Sequence, residues 1–335
     1  MSGPLRAGAY ALVPIASTGD RFSDFAPYVA SVNDAGVVAF QATLRAGGSG
    51  VHTGTGGPVS TVTDPLTGPL AEVSSHPDIA TDGATCAYAT VASGSSAVVL
   101  IRDNEVITVS PTSGPLGPTM NDAGTVAFRA DVEDGRSGIY TGDGGAVITI
   151  AETGDDLTAF QGLPLIDDRG AVVFRADLES GGERISMVAG GSPVTLAETR
   201  EVFAALGRFP CVNATGAVAF SATLRDGGSG VFVASSGTII QRVDTSARFD
   251  SVRGALLDAN GRVVFFATPR GGNLGVFSGP DPETDRILGL GAALFDSEVV
   301  DFALNPVSIN DVGQLAIRVK LADARQWIVR ADRSC

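Results

Sequence analysis

A short turn-and-strand unit recurs seven times along the chain, and its spacing restricts the fold more than any other feature. It first reads Asn33-Asp34-Ala35-Gly36 running to Phe40. It returns as Ala80-Thr81-Asp82-Gly83 to Tyr88, with one extra residue, and as Asn121-Asp122-Ala123-Gly124 to Phe128. Then follow Asp167-Asp168-Arg169-Gly170 to Phe174, Asn213-Ala214-Thr215-Gly216 to Phe220, Asp258-Ala259-Asn260-Gly261 to Phe265 and Asn310-Asp311-Val312-Gly313 to Ile317. Successive turn glycines lie 47, 41, 46, 46, 45 and 52 residues apart. Short Asn/Asp side chains bond the local backbone and glycine supplies positive φ, so each copy is expected to be a tight turn between strands. A period of this length suits four-stranded propeller blades, whereas β-helix rungs are far shorter.

The third repeat shows the internal order. Residues 119–120 lead into the turn, 125–131 read as a strand, 137–141 as a second and 146–151 as a third. Val126, Phe128 and Ala130 alternate with Ala127, Arg129 and Asp131 at the period of two that strands require. No long helical period is present. Residues 10–20 match the fourth strand of this repeat, Val147 to Asp155, whereas the last repeat ends after Trp327-Ile328-Val329 without a fourth strand of its own. The N-terminal strand is therefore expected to complete the last blade, which removes two open sheet edges. The expected fold is all-β: one seven-bladed β-propeller domain, 1–335, with four-stranded blades. Its closing strand is 9–18 and its blades are approximately 26–64, 76–109, 115–151, 161–197, 208–243, 252–288 and 304–330.

Composition narrows the partners. The 43 glycines and the 18% of charged residues suit short strands and tight turns. A formal charge of −14, with Lys320 as the lone lysine, argues against nucleic acid and anionic membranes. Cys86, Cys211 and Cys335 are odd in number and widely spaced, which is poor material for a disulfide framework or a zinc site. No apolar run approaches the ~20 residues of a membrane span, and residues 1–6 lack the pattern of a signal peptide. The expected location is cytoplasmic if Met1 is the native start, and extracellular if a signal has been trimmed.

The pattern Asn-x-x-Gly-x-x-Ala-Phe at Asn33 to Phe40, Asn121 to Phe128 and Asn213 to Phe220, with the Ala-x-Thr-Gly-Asp endings of Ala16 to Asp20 and Ala151 to Asp155, resembles the Asn-x-x-Gly-x-x-Ala-Phe tandem-repeat proteins. Many of that family are bacterial and exported, with varied C-terminal surface anchors. The resemblance covers nearly the whole chain and implies a β-propeller-like repeat scaffold, with no catalytic residues to carry over.

Each candidate for chemistry meets a simpler reading. The turn carboxylates suggest calcium, but the alternating acids and distal Glu of an EF-hand loop are absent, so no metal is expected. Phe40, Tyr88, Phe128, Phe174, Phe220 and Phe265 read as inter-blade core, worth roughly 1.5–3 kcal/mol each on burial. Arg129 with Asp131, and Arg175 with Asp177, share a face and read as structural pairs between blades. Ser31, Asp78, Thr119, Leu165, Cys211, Leu256 and Ser308 are expected to face the channel or its walls, and Cys211 to be a buried thiol. His52 stands where other repeats have aromatic residues and reads as structural.

Function is sought in the least repetitive segments, 20–26, 64–76, 110–118, 152–164, 198–210, 244–254 and 289–306, expected as loops on the face opposite the turns. They carry Asp24, Phe25, His76, Asp155, Asp156, Glu198, Arg200, Glu201, Arg208, Phe209, Arg248, Arg253, Glu298 and Asp301. Of these, Asp24, Phe25, His76, Arg208, Phe209, Arg253 and Asp301 are the expected ligand-binding set, and His76, Asp78, Arg208 and Arg253 the catalytic candidates. His76 is singled out because a histidine near a channel mouth can act as general acid or base. The reading is a monomeric binding propeller for a small molecule, glycan or protein, with no cofactor. The alternative is a cofactor-independent lyase, cyclase or hydrolase acting in the central pocket.

Overall fold

The computed structural model describes residues 5–7, 10–112, 116–132, 135–154 and 156–334. Seven antiparallel sheets succeed one another along it and form the blades of a seven-bladed β-propeller. The sheet of blade three is typical: Thr119–Met120, Val126–Asp131, Ser137–Gly142 and Ile148–Glu152 pair in chain order from axis to rim. Ring closure follows the expectation. Tyr10–Ser17 pairs antiparallel with Gln326–Arg333, placing Pro14 opposite Val329 and Ser17 opposite Trp327. Leu5–Ala7 adds a further strand outside it. Gln326 fastens this closure, donating from Nε2 to Asp24 Oδ1 (2.7 Å) and accepting at Oε1 from Phe25 N (3.1 Å).

Apolar side chains gather in seven clusters, one in each seam between neighbouring blades. Phe40, Phe128, Phe174, Phe220 and Phe265 are at most 1% exposed and pack toward the preceding blade, as expected for inter-blade core. Tyr88 departs from this series. Pairing of Ile79 with Thr85, as of Val32 with Val38, leaves no extra residue after the second turn, so Ala87 holds the phenylalanine position. Tyr88 therefore points the other way and donates its hydroxyl to Arg129 O (2.6 Å) in blade three. A one-residue slip of alignment turns a strand residue onto the opposite face.

The irregular segments hold more strand than their sequence shows. Phe22–Asp24, Leu70–Val73, Phe203–Leu206 and Ser297–Ala303 belong to the sheets, and blade four opens with one strand, Leu157–Ile166. The innermost strands thus start upstream of the expected blade limits. Register shifts at Gln161/Leu165 and Val252/Gly254 break the period of two, which is why these stretches read as loops. Residues 9 and 115, Asp155 and Cys335 lie outside the described residues.

The recurring asparagine has two roles. Its Oδ1 accepts from the backbone N–H four residues on, at 2.9 Å for Asn33 and Asn121, which fixes the turn that Gly36 completes at φ +73°. Its Nδ2 reaches the next blade: Asn33 donates to Ala80 O, Asn121 to Asp167 O, Asn213 to Asp258 O and Asn310 to Asn33 O, at 2.8–3.1 Å. Asp167 and Asp258 keep the first bond and lack the donor for the second. Asp167 turns its other oxygen to Arg169 at 2.7 Å instead.

Candidate functional site: the axial cavity on the turn face

Each innermost strand runs outward along the axis and ends in its turn, so equivalent residues of the seven blades form rings. Val32, Ile79, Met120, Ile166, Val212, Leu257 and Ile309 make an aliphatic collar around a cavity of about 130 Å³. Two residues further along, in the turns that follow these strands, Asp34, Asp122, Asp168 and Asp311 also line it. The expected channel series is thus one residue out of step. Asp78, Thr119 and Leu165 border the cavity, whereas Ser31, Cys211, Leu256 and Ser308 are 0–1% exposed and absent from its lining. The polar members of the series stitch the blades together: Ser308 Oγ donates to Ala30 O, Thr119 Oγ1 to Pro164 O, and Asp78 Oδ2 accepts from Met120 N (2.8 Å).

The carboxylates are held by the ring itself. Asp34 Oδ1 accepts from Asp311 N, Asp122 Oδ1 from Thr81 N and Asp168 Oδ1 from Asp122 N, at 2.7–2.9 Å. Burial raises the Asp311 carboxyl to about 6, helped by the charges of Asp34 and Asp168. Asp34 is raised as well, first by burial and then by Asp122 and Asp168, against the N–H of Asp311. Burial lifts Asp78 to about 7 despite N–H donors from Met120 and Ile79. The turn acids, read from sequence as turn residues alone, therefore also form an electronegative mouth. No sequence signal shows that, because convergence on one axis is a property of the closed ring.

The expected site residues are scattered. Asp78 is the one that borders this cavity. Asp24 is half-buried and committed to Ala26 N and Gln326 Nε2. Phe25 is fully buried, 5.5 Å from the Phe22 ring and 5.6 Å from Phe40, and so belongs to the seam core and not to a rim. His76 is also in a seam: 4% exposed, with Nε2 unpartnered and its ring against Gly117, so burial lowers it to about 4. It is neutral and shielded at neutral pH, and does not face the cavity. Arg208 is exposed, 5.8 Å from the half-buried Phe209 ring, and Arg253 is exposed. Asp301 pairs with Arg318 at 3.1 Å.

The remaining candidates are structural. Arg175 pairs with Asp177 and Glu183 within blade four, while Arg129 donates to the Phe160 carbonyl of the next blade in place of a carboxylate. His52 sits 4.9 Å from the Phe22 ring and is fully buried. Burial drives the Cys86 thiol well up and that of Cys211 up to about 12, so neither is a nucleophile as it stands. Among the described residues no three His, Cys, Asp or Glu side chains are arranged to hold a metal ion, and no helix is long and apolar enough to cross a membrane.

Solved structures share this architecture at low sequence identity. An oligogalacturonate lyase in complex with manganese superposes with a TM-score of 0.58 at 10% identity, over 99% of this chain and 98% of its own. A second oligogalacturonate lyase, from Vibrio parahaemolyticus, gives 0.59 at 12% identity over 96% and 97%. A prolyl endopeptidase gives 0.57 at 11% identity; 92% of this chain covers 51% of it, so the chain spans about half the length of that enzyme. The likeness is one of fold. No protein-family model and no curated protein matches the sequence.

Proposed function

We propose that the protein is a ligand-binding propeller that takes a small cationic group, an amine with a short apolar stem, into the axial cavity on the turn face. The convergence of Asp34, Asp122, Asp168 and Asp311 above an aliphatic collar carries this reading. A bound cation offsets both the burial that raises Asp311 and the added repulsion of Asp34 and Asp168. The cavity, at about 130 Å³, is small enough to suit a charged head group on a short stem. The ligand arrives as a small molecule or as a side chain of a partner protein.

Calorimetric titration with ethylammonium tests the reading. Saturable binding at pH 7.5 weakens at pH 5, as Asp311 gains its proton, and disappears in the Asp34→Asn, Asp122→Asn, Asp168→Asn triple variant. Absence of binding, or binding unchanged in that variant, refutes it. A second reading has one observation behind it: Asp78, lifted to about 7, borders the same cavity with a value suited to general acid catalysis near neutral pH. Turnover lost in Asp78→Asn while ethylammonium still binds separates this enzyme from a binder. We also infer, from the Asn33, Asn121 and Asn213 copies, membership of the Asn-x-x-Gly-x-x-Ala-Phe repeat proteins.

A further inference from the structure

Pairing of the second and third strands aligns one position in all seven blades: Gln41, Tyr88, Arg129, Arg175, Ser221, Phe266 and Arg318, each opposite a valine or isoleucine. This position faces the following blade, and in six of the seven it carries a long side chain. Three are arginines. Arg129 Nη1 donates to Phe160 O at 2.6 Å. Arg175 binds Asp177 and Glu183, and Glu183 in turn accepts from Leu206 N of the next blade. Arg318 binds Asp301.

Blade five differs at every point of this arrangement. Ser221, Thr223 and Ser229 stand where blade four has Arg175, Asp177 and Glu183. Across the seam Val252 stands where Phe160 and Leu206 do, each opposite the alanine of the adjoining strand. The short residues leave a cavity of about 330 Å³ bordered by Ser221, Thr223, Ser229, Asp250 and Val252. Ser221 is 4% exposed, and its hydroxyl makes no hydrogen bond among the described residues. Asp250 is exposed at the opening and forms no ion pair among the described residues.

We propose that this cavity, between blades five and six and separate from the axial one, binds a guanidinium group supplied from outside the chain. The fold itself places a guanidinium at this position in blades three, four and seven. In blade five the counter-charge is Asp250, with hydroxyl oxygens of Ser221 and Thr223 as acceptors, and the planar fork of the guanidinium matches several such acceptors at once. The group comes from a free guanidino compound or from an arginine of a partner peptide.

The test is two-dimensional NMR of the full chain titrated at low millimolar concentration with butylguanidinium and, separately, with acetyl-Ala-Arg-Ala-amide; glucose is the control for a polyol site. Saturable shifts at Ser221, Thr223 and Ser229 are expected from butylguanidinium, from the peptide, or from both, and which probe binds tells the source. Asp250→Asn should weaken binding about tenfold. Ser221→Arg, which fills the cavity with the chain's own guanidinium, should abolish it. No saturable shift with either probe, shifts with glucose alone, or full binding by Asp250→Asn overturns the proposal. Should Ser221→Arg fail to fold, the Asp250→Asn titration still decides.

Discussion

Replacing His52 with phenylalanine should stabilise the protein, and more so in acid. His52 is fully buried between blades seven and one, with both ring nitrogens unpartnered. Phe22, Phe40 and His52 form a triangle with centroid separations of 5.8, 4.9 and 5.8 Å. The corresponding triangle in blade five, Phe203, Phe220 and Phe232, has 5.6, 5.1 and 5.8 Å, and that in blade six, Phe249, Phe265 and Phe277, has 5.5, 5.1 and 5.9 Å. A phenylalanine ring therefore already fits this position twice in the molecule. Removing an orphaned buried polar group recovers about 1–3 kcal/mol, so a gain of about 2 kcal/mol is expected at pH 7.5.

The pH term adds to it. Burial first, then the Arg21 charge, lower His52 from its ordinary 6.5 to about 4, with Asp64 opposing. Between those values the unfolded chain binds the proton and the folded chain does not, so stability is lost as pH falls. At about 1.4 kcal/mol per pH unit, the loss approaches about 3 kcal/mol by pH 4. The advantage of His52→Phe should thus grow from about 2 to about 5 kcal/mol between pH 7.5 and pH 4. Urea unfolding at both pH values, followed by Trp327 fluorescence, measures it, and the shared effect of His76 cancels in the difference. A variant no more stable than the parent at pH 7.5, or an advantage that does not grow in acid, refutes the reasoning.

Four further outcomes follow from the same geometry. Asn121→Asp keeps the turn bond but removes the donor to Asp167 O, and should cost about 1–3 kcal/mol in denaturant unfolding, whereas the parent residue at 258 is already Asp and tolerates the loss. Asp78, raised to about 7, opposes the histidines: its folded form holds a proton that the unfolded chain has released, so its contribution to stability falls as pH rises from about 4 to 7, and Asp78→Ala should flatten that limb of the stability profile. Gly117→Ala brings a Cβ to 2.4 Å from the His76 ring, so the melting temperature should fall and His76→Ala should restore part of the loss in a double-mutant cycle. Deleting residues 1–17 opens the ring and exposes the edge of Gln326–Arg333, and the truncated chain should associate in size-exclusion chromatography while the full chain does not.

Much of the fold is legible in the sequence because the turn chemistry is local. Asn33 and Gly36 specify a tight turn wherever they stand, and seven copies at blade spacing, with a strand at the start that the last repeat lacks, define a closed ring. The phenylalanines mark the seams because a period of two places them on one face. Legibility ends where regular alternation ends. The bulged first strands of blades four and six read as loops, and their charged residues read as a rim, because the register shifts at Gln161/Leu165 and Val252/Gly254 cannot be seen in residue order. Phe25 and His76 read as rim residues because residue order does not show that the chain carries them into seams, Phe25 against Phe22 and Phe40 and His76 against Gly117.

The sequence by itself determined the number of blades, the closure of the ring and the turn role of the asparagines, since each depends on contacts within a repeat or on counting repeats. Tertiary structure decided everything that depends on meeting between repeats. It turned the amide nitrogen of Asn33, Asn121, Asn213 and Asn310 into a staple to the next blade, brought Asp34, Asp122, Asp168 and Asp311 from distant repeats to one mouth, and opened a cavity at Ser221, where the equivalent positions of blades three and four hold Arg129 and Arg175. A ring converts equivalent positions along the chain into neighbours around an axis, and burial and charge at such positions depend on all seven blades together.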